Sequence, residues 1–375
     1  MNVRTLDSAE ALRAAGWDSL LGAGDLYLSA DWLETVEKWF PVPPSYLLAT
    51  SPDGAPVAGV AAYVQGETAP PSSFYRIDEV LLRLLGPGSA PGDDELGELL
   101  PTVLCGGRQS CHSRLLVDRS LPDDERRRVT RRMLAELDRA ADRSGAASLA
   151  FLYVDEDDET LRSSLRDTGY TEFASGICSI LDIRSSTFEE YLASFKASRR
   201  RVIREDLAKL ESAGVEFTVE PLTEALVPEL APLEAAVHRK YGDPRELSAS
   251  QRMLTSLARD FGDRTAISIA RMRGRICGFA GLIRWRDEIY LRHVGFDYGL
   301  QGSIPVYFGA LFYEPVRFAQ RTGAARIDYS IETADAKRRR GCRQIVEYGY
   351  VRCLDENVHA RVAQLLEGVE EPVPA

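Results

Sequence analysis

The chain has 375 residues, 46 Lys and Arg against 57 Asp and Glu, a formal net charge of −11, and 45% hydrophobic and 27% charged residues. That composition fits one large or two ordinary globular domains and excludes a collagen-like, disulfide-scaffold or wholly disordered chain. The negative balance argues against a protein that coats nucleic acid over its whole surface, but it leaves room for a local basic patch.

The first firm helix is expected over Ser29 to Trp39. Ser29 suits the N-cap, and Trp32, Leu33, Val36 and Trp39 recur at helical spacing. SYLLAT and VAGVAAYV then read as two strands around the turn Ser51-Pro52-Asp53-Gly54. Two loops are expected, at 68–73 and 86–94, from their Pro and Gly content. A charged helix follows from Pro122 to about Ser144, with Val129, Met133, Leu134 and Leu137 on one face. ASLAFLYV and GICSILDI are short strands.

Ser186 with Glu189 and Thr187 with Glu190 both fit a capping box that opens a helix. The expected division is therefore residues 1–184 and 185–375. The new helix carries Tyr191, Leu192 and Phe195 and then turns basic. VEFTVE is a strand, and helices follow near Glu224–Tyr241 and Ser248–Phe261.

Thr265 to Ile283 is again strand, turn, strand, with Arg273-Gly274 at the turn. Residues 57–64 and 276–283 match position by position in residue class, which suggests a two-copy duplication. IYLRHVG is the next strand. Pro305 is placed to start a helix that runs to Arg321 and stops at Gly323, with Pro315 expected to kink it. ARIDYSI returns as a strand, which makes a right-handed parallel crossover, and VEYGYVRC is one more strand.

Six cysteines lie outside any C-x-x-C spacing and read as reduced thiols. Cys111 and His112 are adjacent, but the four histidines are too few and too scattered for a metal cluster, so no metal is expected. No stretch approaches the roughly 18 uncharged apolar residues of a membrane span. The N-terminal segment lacks an apolar signal region, so a cytoplasmic location is expected.

Three stretches carry a family resemblance: DLYLSADWLETVE, SFKASRRRVIREDLAKLESAG, and YLRHVGFDYGLQGSIPVYFGALFYEPVRFAQRTGAARIDYSIETADAKRRRGC. They run from about Asp25 to Cys342 and resemble the FemAB-like branch of the acyl-CoA N-acyltransferase (GNAT) fold. The resemblance implies two tandem GNAT-like domains of α/β class, each a mixed, mostly antiparallel sheet flanked by helices. It also implies an acyltransferase that forms an amide on an amine acceptor, drawing on aminoacyl-tRNA or, alternatively, acyl-CoA. The acceptor would be a small molecule or a cell-wall precursor, and no tightly bound cofactor is expected.

Ordinary GNAT enzymes hold coenzyme A pyrophosphate on backbone N–H groups at a helix start. The equivalent loop here, Leu300-Gln301-Gly302-Ser303-Ile304-Pro305, lacks the first glycine, and Pro305 has no N–H. The departure fits charged tRNA as donor, with an altered coenzyme A loop as the alternative reading. Two basic clusters support phosphate contact. Lys196, Arg200 and Arg204 share a helical face with Arg199 close by, and Lys337, Arg338, Arg339, Arg340 and Arg343 form the second cluster.

The resemblance marks Lys337, with Arg340 and Gly341, as a family position, and an ammonium there would stabilise a tetrahedral oxyanion. His293, Asp297 and Tyr329 are the other catalytic candidates, each close to a strand end. Alternation places His293 on one face with Leu291 and Gly295. Tyr307 and Tyr313 belong to an aromatic helix, where core filling competes with shaping an acceptor pocket. Gly106-Gly107-Arg108 reads as a plain loop, with lining of an acceptor site as the alternative.

Overall fold

Apolar runs joined by tight turns make the two hairpins. The computed structural model describes residues 1–40, 42–66, 69, 74–86, 96–109, 111–242, 245–367 and 369. Most of the two expected loops at 68–73 and 86–94 lies outside the described residues. The chain falls into two compact units, one of residues 1–177 with 345–375 and one of residues 178–344.

The strands are β1 (Asn2–Leu6), β2 (Pro44–Thr50), β3 (Pro56–Gln65), β4 (Thr102–Cys105), β5 (Leu116–Val117), β6 (Ser148–Asp155), β7 (Thr171–Asp182), β8 (Val215–Pro221), β9 (Thr265–Met272), β10 (Arg275–Trp285), β11 (Glu288–Phe296), β12 (Arg326–Asp328) and β13 (Arg343–Cys353). In the first unit the order is β1-β2-β3-β4-β6-β13, with β5 beside β3. Among the described residues of this unit only the β4–β6 pair is parallel. In the second unit β8-β9-β10-β11-β12 leads to the end of β7, and only the β11–β12 pair is parallel. The two orders are the same.

In each sheet the final antiparallel strand comes from the other stretch of the chain. β13 pairs with β6, and residues 180–182 of β7 pair with β12. The expected division at 184/185 differs from the observed units for this reason. β13 finds its hydrogen bonds on β6, which draws residues 345–375 into the first unit.

Equivalent glycines sit at the heart of both hairpins. A Cβ on Gly59 would lie 2.3 Å from the Trp17 ring, and one on Gly278 would lie 2.8 Å from Phe296 and Val306. The side chains packed above these strands use the missing Cβ as space. The turn at Arg273 and Gly274 has positive φ at both residues (53° and 73°), the geometry of a two-residue hairpin.

The helices form as their patterns predict. Ser29 caps the helix Ala30–Trp39 through the Trp32 N–H, and the helix Asp123–Ser144 buries Val129, Met133, Leu134 and Leu137 on the first sheet. Thr187 and Glu190 complete the capping box of helix Phe188–Ala193, whereas the Ser186–Glu189 alternative is not used. The aromatic helix spans Val306–Phe308, a π-helical turn Gly309–Tyr313 and Glu314–Thr322, ending at Gly323 in the left-handed region. Pro315 is thus accommodated by a wider turn immediately before it, where its missing N–H could not serve an ordinary i→i−4 bond.

Gly59→Ala and Gly278→Ala should each lower stability by about 1–3 kcal/mol through overpacking. Gly66→Ala, with nothing within 4 Å of its Cβ, should be neutral. Chemical denaturation of the three variants checks this ordering. Asp206 and Arg340 form a buried ion pair at 2.7 Å in the second unit. Asp206→Ala should cost about 3–5 kcal/mol because it strands the guanidinium without a counter-charge. A denaturant midpoint within error of the parent would refute that role.

Candidate functional site

In the second unit the basic clusters meet. Helix Phe188–Ala193 ends at Ser194, the chain extends through Lys196, and a new helix begins at Ala197. Lys196 is therefore the residue before the first helical turn rather than a member of the helical face expected for it. Phe195, Lys196 and Arg199 line one wall of an open groove, and Arg338, Arg339 and Gly341 line the other. Gly341 has φ 92°, and a Cβ there would lie 3.1 Å from the Phe195 ring, so this wall requires glycine. Arg338 pairs with Asp335 at 2.8 Å. Among the described residues neither Lys196 nor Arg199 has an ion-pair partner. The groove therefore presents four cations against one exposed acid, an arrangement that attracts phosphates.

The rest of the expected donor set has other tasks. Arg340 is buried and donates to Asp206 at 2.7 Å and to the Tyr313 hydroxyl at 3.1 Å, with its guanidinium over the Phe308 ring. Tyr313 in turn donates to Asp206 at 2.7 Å, and Tyr191 donates to the Arg340 carbonyl. Arg340 and Tyr313 thus belong to the core, which corrects their assignment to substrate binding. Arg200 reaches the carbonyls of Ala193 and Phe195 at the end of the preceding helix, and Arg204 faces Glu189 at 3.5 Å. Arg343 is half-exposed beside Asp182 at 3.5 Å. Tyr307 is partly buried among Phe296, Phe308 and Phe312, with its hydroxyl 3.4 Å from that of Thr333.

Lys337 is buried, and its ammonium donates to the carbonyls of Tyr329 (2.7 Å), Ser330 (3.0 Å) and Ile331 (2.6 Å). These three bonds match the three protons of an ammonium. The expectation of an ammonium open to an oxyanion is corrected: Lys337 fastens a loop in which Ser330, Glu332 and Thr333 all have positive φ. Tyr329 stacks on Phe312 with ring centroids 4.6 Å apart, and burial pushes its hydroxyl well above its ordinary pKa, so it stays protonated. Asp297 caps the short helix Tyr298–Gln301 through the Leu300 N–H.

His293 is the extra residue of a β-bulge. The β10–β11 register slips between Ala280 and Gly281, and His293 takes φ 59°. The expected alternation with Leu291 and Gly295 is broken there. Gly281 permits the bulge, because a Cβ on it would meet the Arg292 carbonyl at 2.4 Å. His293 Nδ1 lies 2.5 Å from a carboxylate oxygen of Glu234, a partner the sequence did not announce. Burial lowers the pKa of His293 and keeps the ring neutral. Glu234 is buried as well, yet His293 and Arg245 (3.4 Å) hold its carboxyl down at about 2. The pair is a neutral imidazole donating to a carboxylate, the arrangement of an oriented base.

The loop equivalent to a pyrophosphate loop, already short of a glycine and of the Pro305 N–H, uses most of its remaining amides internally. The N–H groups of Gly302, Ile304, Val306, Phe308 and Gly309 all bond to carbonyls between Tyr298 and Pro305.

The first unit has a polar cluster that sequence spacing did not reveal. His112 Nδ1 lies 2.6 Å from Asp155, and Glu347 lies 3.6 Å from the same nitrogen. Arg114 also pairs with Asp155 and, at 3.5 Å, with Asp25. Burial opposes charge on Asp155, but His112 and Arg114 hold its pKa below the usual carboxylate range. Arg108, by contrast, is buried over the rings of Phe40 and Tyr63, as suits a packed loop.

Among the described residues no helix is long and apolar enough to cross a membrane. No curated protein sequence matches the chain. Among solved structures, the crystal structure of FemX superposes with TM-score 0.63 at 13% identity, covering 97% of this chain and 100% of that one. The C-terminal domain of a putative lysylphosphatidylglycerol synthetase from Agrobacterium fabrum gives 0.56 at 13% identity, covering 98% of this chain and all of that one. A tandem GNAT protein from the clavulanic acid biosynthesis pathway gives 0.50 at 11% identity, covering 94% and 98%. The fold is thus that of tandem GNAT-like domains. A family model described as peptidoglycan biosynthesis/recognition matches residues 111–374, and the chain belongs to this FemAB-like family.

Proposed function

We propose that the protein is an aminoacyltransferase that moves an aminoacyl group from charged tRNA to the amine of a small molecule or cell-wall precursor. Family membership supports acyl-group transfer in general. The observation that carries the choice of donor is the groove of Lys196, Arg199, Arg338 and Arg339, set in the same unit as a 300–305 loop in which the Leu300, Gln301, Gly302 and Ile304 N–H groups are already bonded and Pro305 has none. A coenzyme A pyrophosphate would need those amides, whereas a polyphosphate backbone needs cations in a row. His293, oriented by Glu234, is assigned to accept the proton that the attacking amine releases. In this reading the structural pairs around Lys337 and Arg340 hold the groove walls.

Incubation with total charged tRNA and candidate amines should yield an amide product, and ribonuclease pretreatment should abolish it. With four phosphate contacts, tRNA affinity should fall with salt at a log–log slope of about −3. Lys196→Ala together with Arg339→Ala should flatten that slope by about 2. Tight binding and turnover of acetyl-CoA, with none of charged tRNA, would overturn the choice of donor.

His293→Gln should lower turnover by about 10²–10⁴-fold while leaving tRNA affinity unchanged. The parent rate should drop on acidification with a midpoint below 6.5, because the ring must be neutral to act and its pKa is lowered. A pH–rate profile with no such limb would remove His293 from the mechanism.

A further inference from the structure

We propose that the first unit holds one divalent transition-metal ion, zinc in preference to manganese, bound by His112 Nδ1, Asp155 and Glu347. The ligating atoms of these three side chains all lie within 4.8 Å of one another, and all three residues are buried.

The strand register creates the problem that such an ion solves. Asp155 on β6 and Glu347 on β13 are directly opposed across an antiparallel pair. Like charges in that position repel, and burial removes the water that would screen them. Glu347 is fully buried, and its carboxyl faces the Asp155 carboxyl and, at 3.6 Å, His112 Nδ1, with no cationic side chain other than that imidazole paired to it among the described residues. A buried carboxyl of this kind demands an explanation.

The third ligand is delivered by the chain in a fixed pose. The Ser113 N–H donates to the Tyr153 carbonyl at 2.5 Å, which locks this segment against β6. The Tyr27 ring stacks on the His112 ring at 6.3 Å. Arg114 takes the second oxygen of Asp155, so the first remains on the His112 side, 2.6 Å from Nδ1. Arg114 also finds Asp25, a separate counter-charge.

Charge balance follows. Asp155 and Glu347 as carboxylates carry two negative charges, and a divalent ion cancels both. Binding displaces the proton from His112 Nδ1 and any proton on Glu347, and both protons leave to solvent. One imidazole with two carboxylates suits zinc, manganese or ferrous iron, and the affinity order places zinc above manganese. Three protein ligands leave a fourth zinc position for one further ligand.

The test uses the full-length chain, refolded with zinc chloride and then dialysed. Elemental analysis should give about one zinc per chain, and zinc should raise the melting temperature relative to the chelator-treated protein. His112→Gln and Glu347→Gln should each lose the zinc and the shift. Glu347→Gln is isosteric and neutral, so it keeps the fold testable. A folded parent with no bound zinc or manganese, and the same melting temperature in metal and in chelator, would overturn the proposal. So would a Glu347→Gln variant that binds zinc as the parent does. None of these readouts depends on charged tRNA or on turnover.

Discussion

The second unit is organised around one buried charge pair. Asp206 stands on the helix that carries the first basic cluster, and Arg340 stands inside the second cluster. Their 2.7 Å contact, shared with the Tyr313 hydroxyl, draws the two clusters to opposite walls of one groove. Cations crowded together repel, so something must hold them in place. Here the chain commits one arginine of the second cluster to its core, and the remaining cations stay at the surface as neighbours. Lys337 acts in the same spirit one turn earlier, holding a left-handed loop that no regular element would stabilise.

The regular elements were legible because their causes are local. Ser29, Thr187, Gly323 and the Arg273-Gly274 turn each act within a few residues, and each does what its chemistry predicts. Residues 57–64 and 276–283 were matched by class, and they prove to be the same strand of the same sheet order. The division of the chain was not legible. Which strand β6 and β12 accept as a neighbour is settled by long-range pairing, and a capping box at Thr187 marks a helix start, not a domain boundary.

Side-chain roles were legible only as residue types. A run such as Lys337 to Arg340 announces positive charge, but it does not say which members turn inward. Lys337 and Arg340 point into carbonyls and a carboxylate, and Arg338 and Arg339 stay out. His293 was found by its place near a strand end, yet its partner Glu234 lies 59 positions away. The Gly281 that permits its bulge offered the one available hint. His112, Asp155 and Glu347 sit on three separate segments, and only the β6–β13 register aligns them.

The exchange of final strands has a consequence for biosynthesis. β6 leaves the ribosome well before its antiparallel neighbour β13 is made. Roughly 190 residues of synthesis separate them, which at 5–20 residues per second means a delay of about 10–40 s. Through that interval an apolar strand (Ser148–Asp155) waits with one edge open, the condition under which nascent chains invite mispairing or chaperone capture.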